Sequence, residues 1–297
     1  MIYSHVPVML KEIISFLDPK PGGKFIDCTL GGAGYTTTIA QLVGEKGKVL
    51  AIDLDGLALK NAESLLKDKK IKNVILKESN FKNLDEVANS VFKEGTLFDG
   101  IVFDLGLSSA QLDDEARGFS FKGERPLDMS FGPENNISTE NIINSYSLIE
   151  LTNIFREYGE EKQAYRIAKK IVESRKKKRI KTTSDLTSII EEIIPLRPWL
   201  KINPATKVFQ ALRIETNEEL KVLEEALEKA EKLLKPGGKL VVVSFHSGED
   251  RIVKNFLRDR KGKSFKILTK RPELPDNFEA GSNKRARSAK LRAAEKI

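Results

Sequence analysis

The stretch FIDCTLGGAGYTTTIAQLVGEKGKVLAIDLD, residues 25–55, constrains the fold more than any other part of this chain. A short apolar run ends at Asp27. A glycine-rich turn follows at Gly31, Gly32, Ala33 and Gly34, and a helix-compatible segment leads to a second apolar run, residues 48–52, closed by Asp53. Strand, tight loop, helix, strand and acid in that order predict parallel strands joined by a crossover helix. Glycines at 32 and 34 let the backbone turn sharply and approach a ligand closely. An acid about 20 residues beyond the loop, at the tip of the second strand, can hold a ribose diol. The expected occupant is a nucleoside-containing cofactor lying across the carboxyl ends of the strands.

The motif departs from the dinucleotide fingerprint at its third glycine, where Thr37 stands. No lysine follows the loop, so it is not a phosphate loop of the GK[ST] kind. S-adenosylmethionine fits better, because it carries a ribose but no pyrophosphate. The alternative is an ordinary glycine-bearing turn of an α/β protein.

Composition narrows the remaining classes. At 297 residues, 40% hydrophobic and 32% charged, the chain can bury one large core or two smaller ones. No apolar run approaches the roughly 20 residues of a membrane span. Polar and charged residues interrupt the N-terminus where a signal peptide needs an unbroken apolar core. A lone cysteine, Cys28, excludes an intrachain disulfide and suits a reducing cytoplasm. Two histidines and one cysteine cannot build a usual zinc site, so no metal is expected. A net charge of +8 suggests a polyanionic partner.

Residues 73–77 and 98–104 read as third and fourth strands, the latter apolar on both faces as parallel strands are. From Leu105 the chain is irregular, and from about Ile137 to Asn203 it reads as helices without strands, with helix starts at 138–141 and 183–186. A long helix from Asn217 to Leu234 closes at Lys235, Pro236, Gly237 and Gly238, before a buried-type strand at 240–244. Alternation that stops and resumes predicts an inserted helical domain.

Three further places can carry chemistry. Asp104 ends the fourth strand, where ligands of open parallel sheets bind. Its carboxylate can accept a hydrogen bond from an exocyclic amine, or it can cap a strand-to-loop turn. His246 stands in Ser244-Phe245-His246-Ser247-Gly248-Glu249-Asp250-Arg251, a cluster that can orient a polar substrate or move a proton, or simply begin a helix. Arg285, Arg287, Lys290 and Arg292 form a basic segment that either grips phosphates or is a solvated tail. The run at 175–179 reads rather as a solvated helix face.

At these residues the sequence resembles the bacterial RsmH family, also called MraW. The resemblance runs through residues 5–10, 27–34, 99–109, 111–114, 117–121, 127–129, 158–161, 204–206, 209–214, 245–247 and 285–292. It implies an α/β fold: a Rossmann-like, class I S-adenosylmethionine-dependent methyltransferase sheet with an inserted helical domain. The core is expected at 1–108 and 209–297, and the helical substrate-recognition insert at 109–208. The activity implied is methylation of a cytidine N4 in the decoding (P-site) region of 16S ribosomal RNA in the small subunit. The cofactor contacts implied are Ala33, Gly34, Tyr35, Asp53, Phe81, Asp104 and Gln111. Asp104 is the first choice for the acceptor of the amine hydrogens and His246 the second, while Arg285, Arg287, Lys290 and Arg292 are expected on the RNA. The sequence departs from the family pattern at Tyr35, where the family usually has histidine, at Ser130, where an arginine is lost, at Gly248 in place of leucine, and at Lys284 in place of proline. Rival readings are a methyltransferase of this fold acting on a protein or small molecule, and a non-catalytic RNA-binding protein.

Overall fold

The computed structural model describes residues 7–107, 118–119, 123–132, 137–197 and 203–297. The chain divides into two compact units, Met1–Gly106 with Leu220–Ile297, and Leu107–Glu219.

The first unit is built on a seven-stranded sheet. Its strands are β1 (Lys24–Asp27), β2 (Lys48–Asp53), β3 (Val74–Glu78), β4 (Phe98–Asp104), β5 (Leu234–Ser244), β6 (Phe265–Ile267) and β7 (Lys290–Lys296). They lie in the order β3-β2-β1-β4-β5-β7-β6. The first five pair in parallel, and β7 runs antiparallel to both β5 and β6. Successive residues of each parallel strand go to opposite faces, and both faces are buried in β1, β2, β4 and the second half of β5, while the edge strand β3 is only half-buried. Ile26, Ile101, Phe103 and Val242 enter one core, while Phe25, Val49, Val102 and Val241 enter the other. This accounts for the near-continuous apolar runs of the sequence. Strand order reverses between β1 and β4, so a topological switch point opens at the ends of Asp27 and Asp104.

Helices α1 (Leu10–Leu17), α2 (Gly34–Val43), α3 (Gly56–Asp68) and α4 (Leu84–Val91) precede or connect the early strands. The second unit holds α5 (Thr139–Ser145), α6 (Leu148–Glu157), α7 (Ala164–Arg175), α8 (Thr183–Ile193) and α9 (Ala205–Thr216). Its core joins Phe155, Ile167, Ile171, Leu186, Ile190 and Leu212. Ser138 caps α5 and Thr182 caps α8, in each case accepting from the backbone N–H three residues on. This unit runs eleven residues past the boundary expected at 208, because α9 buries Val208, Phe209, Ala211 and Leu212 in the helical core (219 − 208 = 11).

Helices α10 (Glu219–Leu233), α11 (Ser247–Arg260) and α12 (Asn277–Ser282) complete the chain. The long helix ends as expected, but the chain becomes extended at once rather than at residue 240. Leu234 already pairs with Phe98, and residues 235–238 bulge out where the register shifts. Gly237 takes φ 80° there, and a Cβ on Gly238 would lie 2.9 Å from the Phe98 carbonyl. No helix among the described residues is long and apolar enough to cross a membrane.

Candidate active site

The carboxyl ends of β1, β2, β3 and β4 bring most of the expected cofactor residues together. The loop after β1 turns through two left-handed residues, Gly31 (φ 46°) and Ala33 (φ 58°). The glycines singled out for that turn were 32 and 34, so the placement needs correction. Gly34 is helical, and its glycine identity answers a different demand: a Cβ there would sit 2.7 Å from the Pro7 ring. Gly34 opens α2, whose first N–H groups have no partner within the helix and face the loop.

Asp53 is half-buried at the tip of β2. One carboxylate oxygen accepts from the Gly31 N–H at 2.8 Å and the other from the Asp55 N–H at 2.9 Å. Burial raises its pKa above the ordinary carboxylate value, against the lowering effect of those two bonds. A carboxylate has about four lone-pair sites, so two acceptor positions remain for a diol. Phe81 follows β3 in a short 3-10 turn and is half-buried, edge-on to Phe103 at 5.7 Å between centroids. Its apolar face suits an adenine ring.

Asp104 ends β4 beside Asp27. Its backbone N–H donates to Thr29 Oγ1 at 2.7 Å, which ties the β4 end to the loop after β1. Its Oδ1 is buried with no hydrogen-bond donor. Burial raises the Asp104 pKa to about 7 against the lowering charge of Arg285, and the Asp27 and Glu249 carboxylates act with burial. Such an acceptor calls for a donor from a bound molecule.

Tyr35 is buried, and its hydroxyl donates to the Val8 carbonyl at 2.6 Å. Burial and the Asp104 and Asp27 carboxylates push its phenol well above the ordinary value, so it stays protonated. Its hydroxyl is thus held by the segment before α1 rather than left open to a ligand. Gln111 lies outside the described residues.

His246 is the cap of α11. Its Nδ1 accepts from the Glu249 N–H at 3.4 Å, and Nε2 lies 3.1 Å from Glu249 Oε1. Glu249 in turn accepts from the Phe245 and His246 N–H groups at 2.7 and 3.2 Å. The ring thus starts the helix through Nδ1, while its buried Nε2 makes no hydrogen bond.

The basic segment is not a tail. Leu291, Ala293 and Ala294 are fully buried in β7, between β5 and β6. Arg292, 8% exposed, forms a two-pronged pair with Asp250 at 2.7 and 3.3 Å, and Lys290 reaches within 3.9 Å of the same carboxylate. The expectation that Arg292 grips RNA is corrected, because its guanidinium is committed to Asp250. Arg287 is exposed, with Nε donating to the Ala280 carbonyl. Arg285 lies over the Phe245 ring, 5.8 Å from its centroid. The run at 175–179 is partly structural: Arg175 donates to the Ile143 and Tyr146 carbonyls, and Arg179 pairs with Glu140.

Sequence reasoning did not assign functions to Asp27 or Thr29. Asp27 is fully buried, accepts from Thr36 Oγ1 at 2.6 Å and the Thr29 N–H at 3.1 Å, and has a pKa raised to about 6, chiefly by burial. Its position at a strand end was visible, but its inward direction was not.

The pattern of the MraW methylase family matches residues 2–297 of this chain. A protein of Caldicellulosiruptor saccharolyticus named ribosomal RNA small subunit methyltransferase H is 43% identical, with both chains covered in full. One of the same name from Clostridium botulinum is 41% identical, again over the whole of both chains. A crystallised chain from Clostridium thermocellum shares the fold with a TM-score of 0.51 at 18% identity, over 99% of this chain and 100% of that one.

Proposed function

This chain belongs to the MraW methylase family, and from that premise we propose that it transfers the methyl group of S-adenosylmethionine to the exocyclic N4 of a cytidine in the decoding (P-site) region of 16S ribosomal RNA. The observation that carries the reading is Asp104, a carboxylate at the switch point whose buried Oδ1 has no donor of its own. The names of the relatives support ribosomal RNA of the small subunit as the substrate, and a reducing cytoplasm suits the buried Cys28.

The bound cofactor supplies a methyl group already activated on a sulfonium. The residues of this chain hold and aim. Asp53 takes the two ribose hydroxyls with the acceptor positions left by Gly31 and Asp55. Phe81 packs on the adenine, while the Gly31 and Ala33 turn and the Gly34 N-terminus of α2 line the approach. The cytosine amine is a weak nucleophile because its lone pair is shared with the ring. Asp104 accepts a hydrogen bond from the N4 amine, aligns that lone pair and meets the positive charge that develops on the nitrogen; as the N–C bond forms and the S–C bond breaks, S-adenosylhomocysteine is left and the amine gives up one proton. The target base must leave its stack to reach this point. Arg287, exposed at the surface of the first unit, meets the RNA backbone, where a cation positions without reading sequence.

The test is mass mapping of methylated nucleosides in small-subunit RNA from cells with and without this protein. Loss of one N4-methylated cytidine in the decoding region is the expected result. An unchanged nucleoside map would sink the proposal.

A second prediction concerns Asp53. Asp53→Ala is expected to weaken S-adenosylmethionine binding by roughly ten- to a hundredfold, the loss of one or two hydrogen bonds to a charged acceptor. Calorimetric titration of the folded variant measures it. Undiminished affinity would remove Asp53 from the cofactor site.

A further inference from the structure

We propose, resting on the reading of the loop after β1 as the cofactor site, that Glu279 is a positioning residue for S-adenosylmethionine. It holds the Val8–Met9 peptide from one side and so fixes Tyr35 and the start of α2 on the other.

The link joins segments from the two ends of the chain. Glu279 of α12 accepts from the Met9 N–H at 2.7 Å, across 270 positions. The Val8 carbonyl accepts from the Tyr35 hydroxyl at 2.6 Å. That carbonyl and that N–H belong to one peptide unit, which is planar. Glu279 and Tyr35 are therefore tied to opposite ends of a single rigid group. A carboxylate on the N–H also polarises the peptide and makes its carbonyl a stronger acceptor for the phenol.

The acid comes from far away although a nearer one exists. Met9 is the cap residue of α1 and makes no side-chain cap bond. Glu12 stands where a capping box would place the acid that reaches back to the Met9 N–H, yet the bond goes to Glu279. Val8 and Met9 are fully buried, so this N–H would be costly to leave without a partner. Met9 also has φ 52°, a left-handed conformation that costs a residue with a Cβ and persists where its surroundings enforce it.

Both ends of the link are anchored. Asp276 accepts from the Glu279 N–H at 2.7 Å, the Asn283 N–H donates to the Glu279 carbonyl at 2.7 Å, and Arg287 Nε donates to the Ala280 carbonyl at 3.0 Å. These bonds fasten α12 to the turn that carries the buried Ala286 and Ala289 into β7. At the other end, Tyr35 is buried as the second residue of α2, and Gly34 before it lies so close to the Pro7 ring that a Cβ would come within 2.7 Å. Residues 7–9 thus back the first turn of α2, whose N–H groups have no partner within the helix. A shift of the Val8–Met9 peptide moves Pro7 and Tyr35 together, and with them the donors and the Ala33 turn that line the cofactor's approach.

The experiment is calorimetric titration of S-adenosylmethionine into the full chain, with thermal unfolding of each variant alongside. Glu279→Ala and Tyr35→Phe are each expected to weaken binding by roughly tenfold, the loss of one buried hydrogen bond. A neutral oxygen bonds about half as strongly as a carboxylate, so Glu279→Gln should lie between, at a loss of roughly threefold. The two side chains act through one peptide, so the double variant Glu279→Ala with Tyr35→Phe should stay well short of the roughly hundredfold loss that independent effects would give. A tie with a structural role alone would lower the unfolding temperature of Glu279→Ala and leave the affinity of the folded protein at the wild-type value, which overturns the proposal. Additive losses in the double variant overturn it too. Should Glu279→Ala fail to fold, Glu279→Gln decides, and wild-type affinity there is the overturning result. Asp53→Ala separates the two readings. If it binds as tightly as wild type, the cofactor site itself is misplaced; if it is weakened while the Glu279 and Tyr35 variants are not, only the role of Glu279 falls.

Discussion

Asp104→Asn is expected to lower the single-turnover rate of methyl transfer by roughly 10²–10³-fold, the usual cost of removing one charged acceptor from a transition state. The fold should not suffer. The carboxyl of Asp104 has a pKa raised to about 7 by burial, well above its ordinary value of 3.8. A group whose folded pKa is raised contributes stability below its unfolded pKa and loses that contribution as pH climbs through the folded one. Between about pH 4 and pH 7, ionising Asp104 therefore works against the folded state. The asparagine variant keeps the shape without the charge, so at pH 8 it should unfold no more easily than wild type. Rate and stability then move in opposite directions, which separates a chemical role from a structural one. A folded variant with a near-normal rate would remove Asp104 from the mechanism.

Much of this site was legible because parallel strands leave a strong local trace. Residues 98–104 were read as a strand with the bounds the structure has, and Asp53 and Asp104 were found because each is the polar stop of an apolar run. The order strand, glycine loop, helix, strand also points to the carboxyl ends of the strands as the place of the cofactor, with no knowledge of the pairing. What escaped depends on contacts between distant segments. Gly34 faces Pro7, and the left-handed turn passes through Ala33, a residue type that does not advertise φ above zero. Tyr35 read as a ligand contact, yet its hydroxyl belongs to the Val8 carbonyl. His246 drew attention as a rare titratable side chain, whereas its ring begins a helix through Glu249. In both cases the residue type was informative about chemistry and silent about the neighbour that the fold places beside it.

The end of the chain is the plainest case. KLRAAEK alternates weakly, holds two alanines and carries more charge than most buried strands. Alanine has little strand preference of its own, so nothing local marks β7. Its burial is created by β5 on one side and β6 on the other, and small side chains let α11 approach the sheet there. The cations follow the pleat. Lys290 and Arg292, two residues apart, share a face and converge on Asp250 of α11.

Arg292→Ala is therefore expected to destabilise the first unit by roughly 3 kcal/mol, the loss that follows when one partner of a largely buried pair is removed. The lower end of the usual range applies, because Lys290 still reaches Asp250 at 3.9 Å. Urea unfolding measures the effect as a lower midpoint with an unchanged slope. A double variant, Arg292→Met with Asp250→Leu, should recover a good part of the loss, since neither charge is then left behind. RNA affinity of the folded fraction should keep its dependence on salt. The opposite result is equally clear: unchanged stability, with a log–log salt slope reduced by roughly 0.7–0.9, would mean that Arg292 neutralises a phosphate. Arg287→Ala is the internal comparison, because its exposed side chain has no carboxylate partner among the described ion pairs and its loss should touch the salt slope while leaving the unfolding midpoint within about 0.5 kcal/mol of wild type.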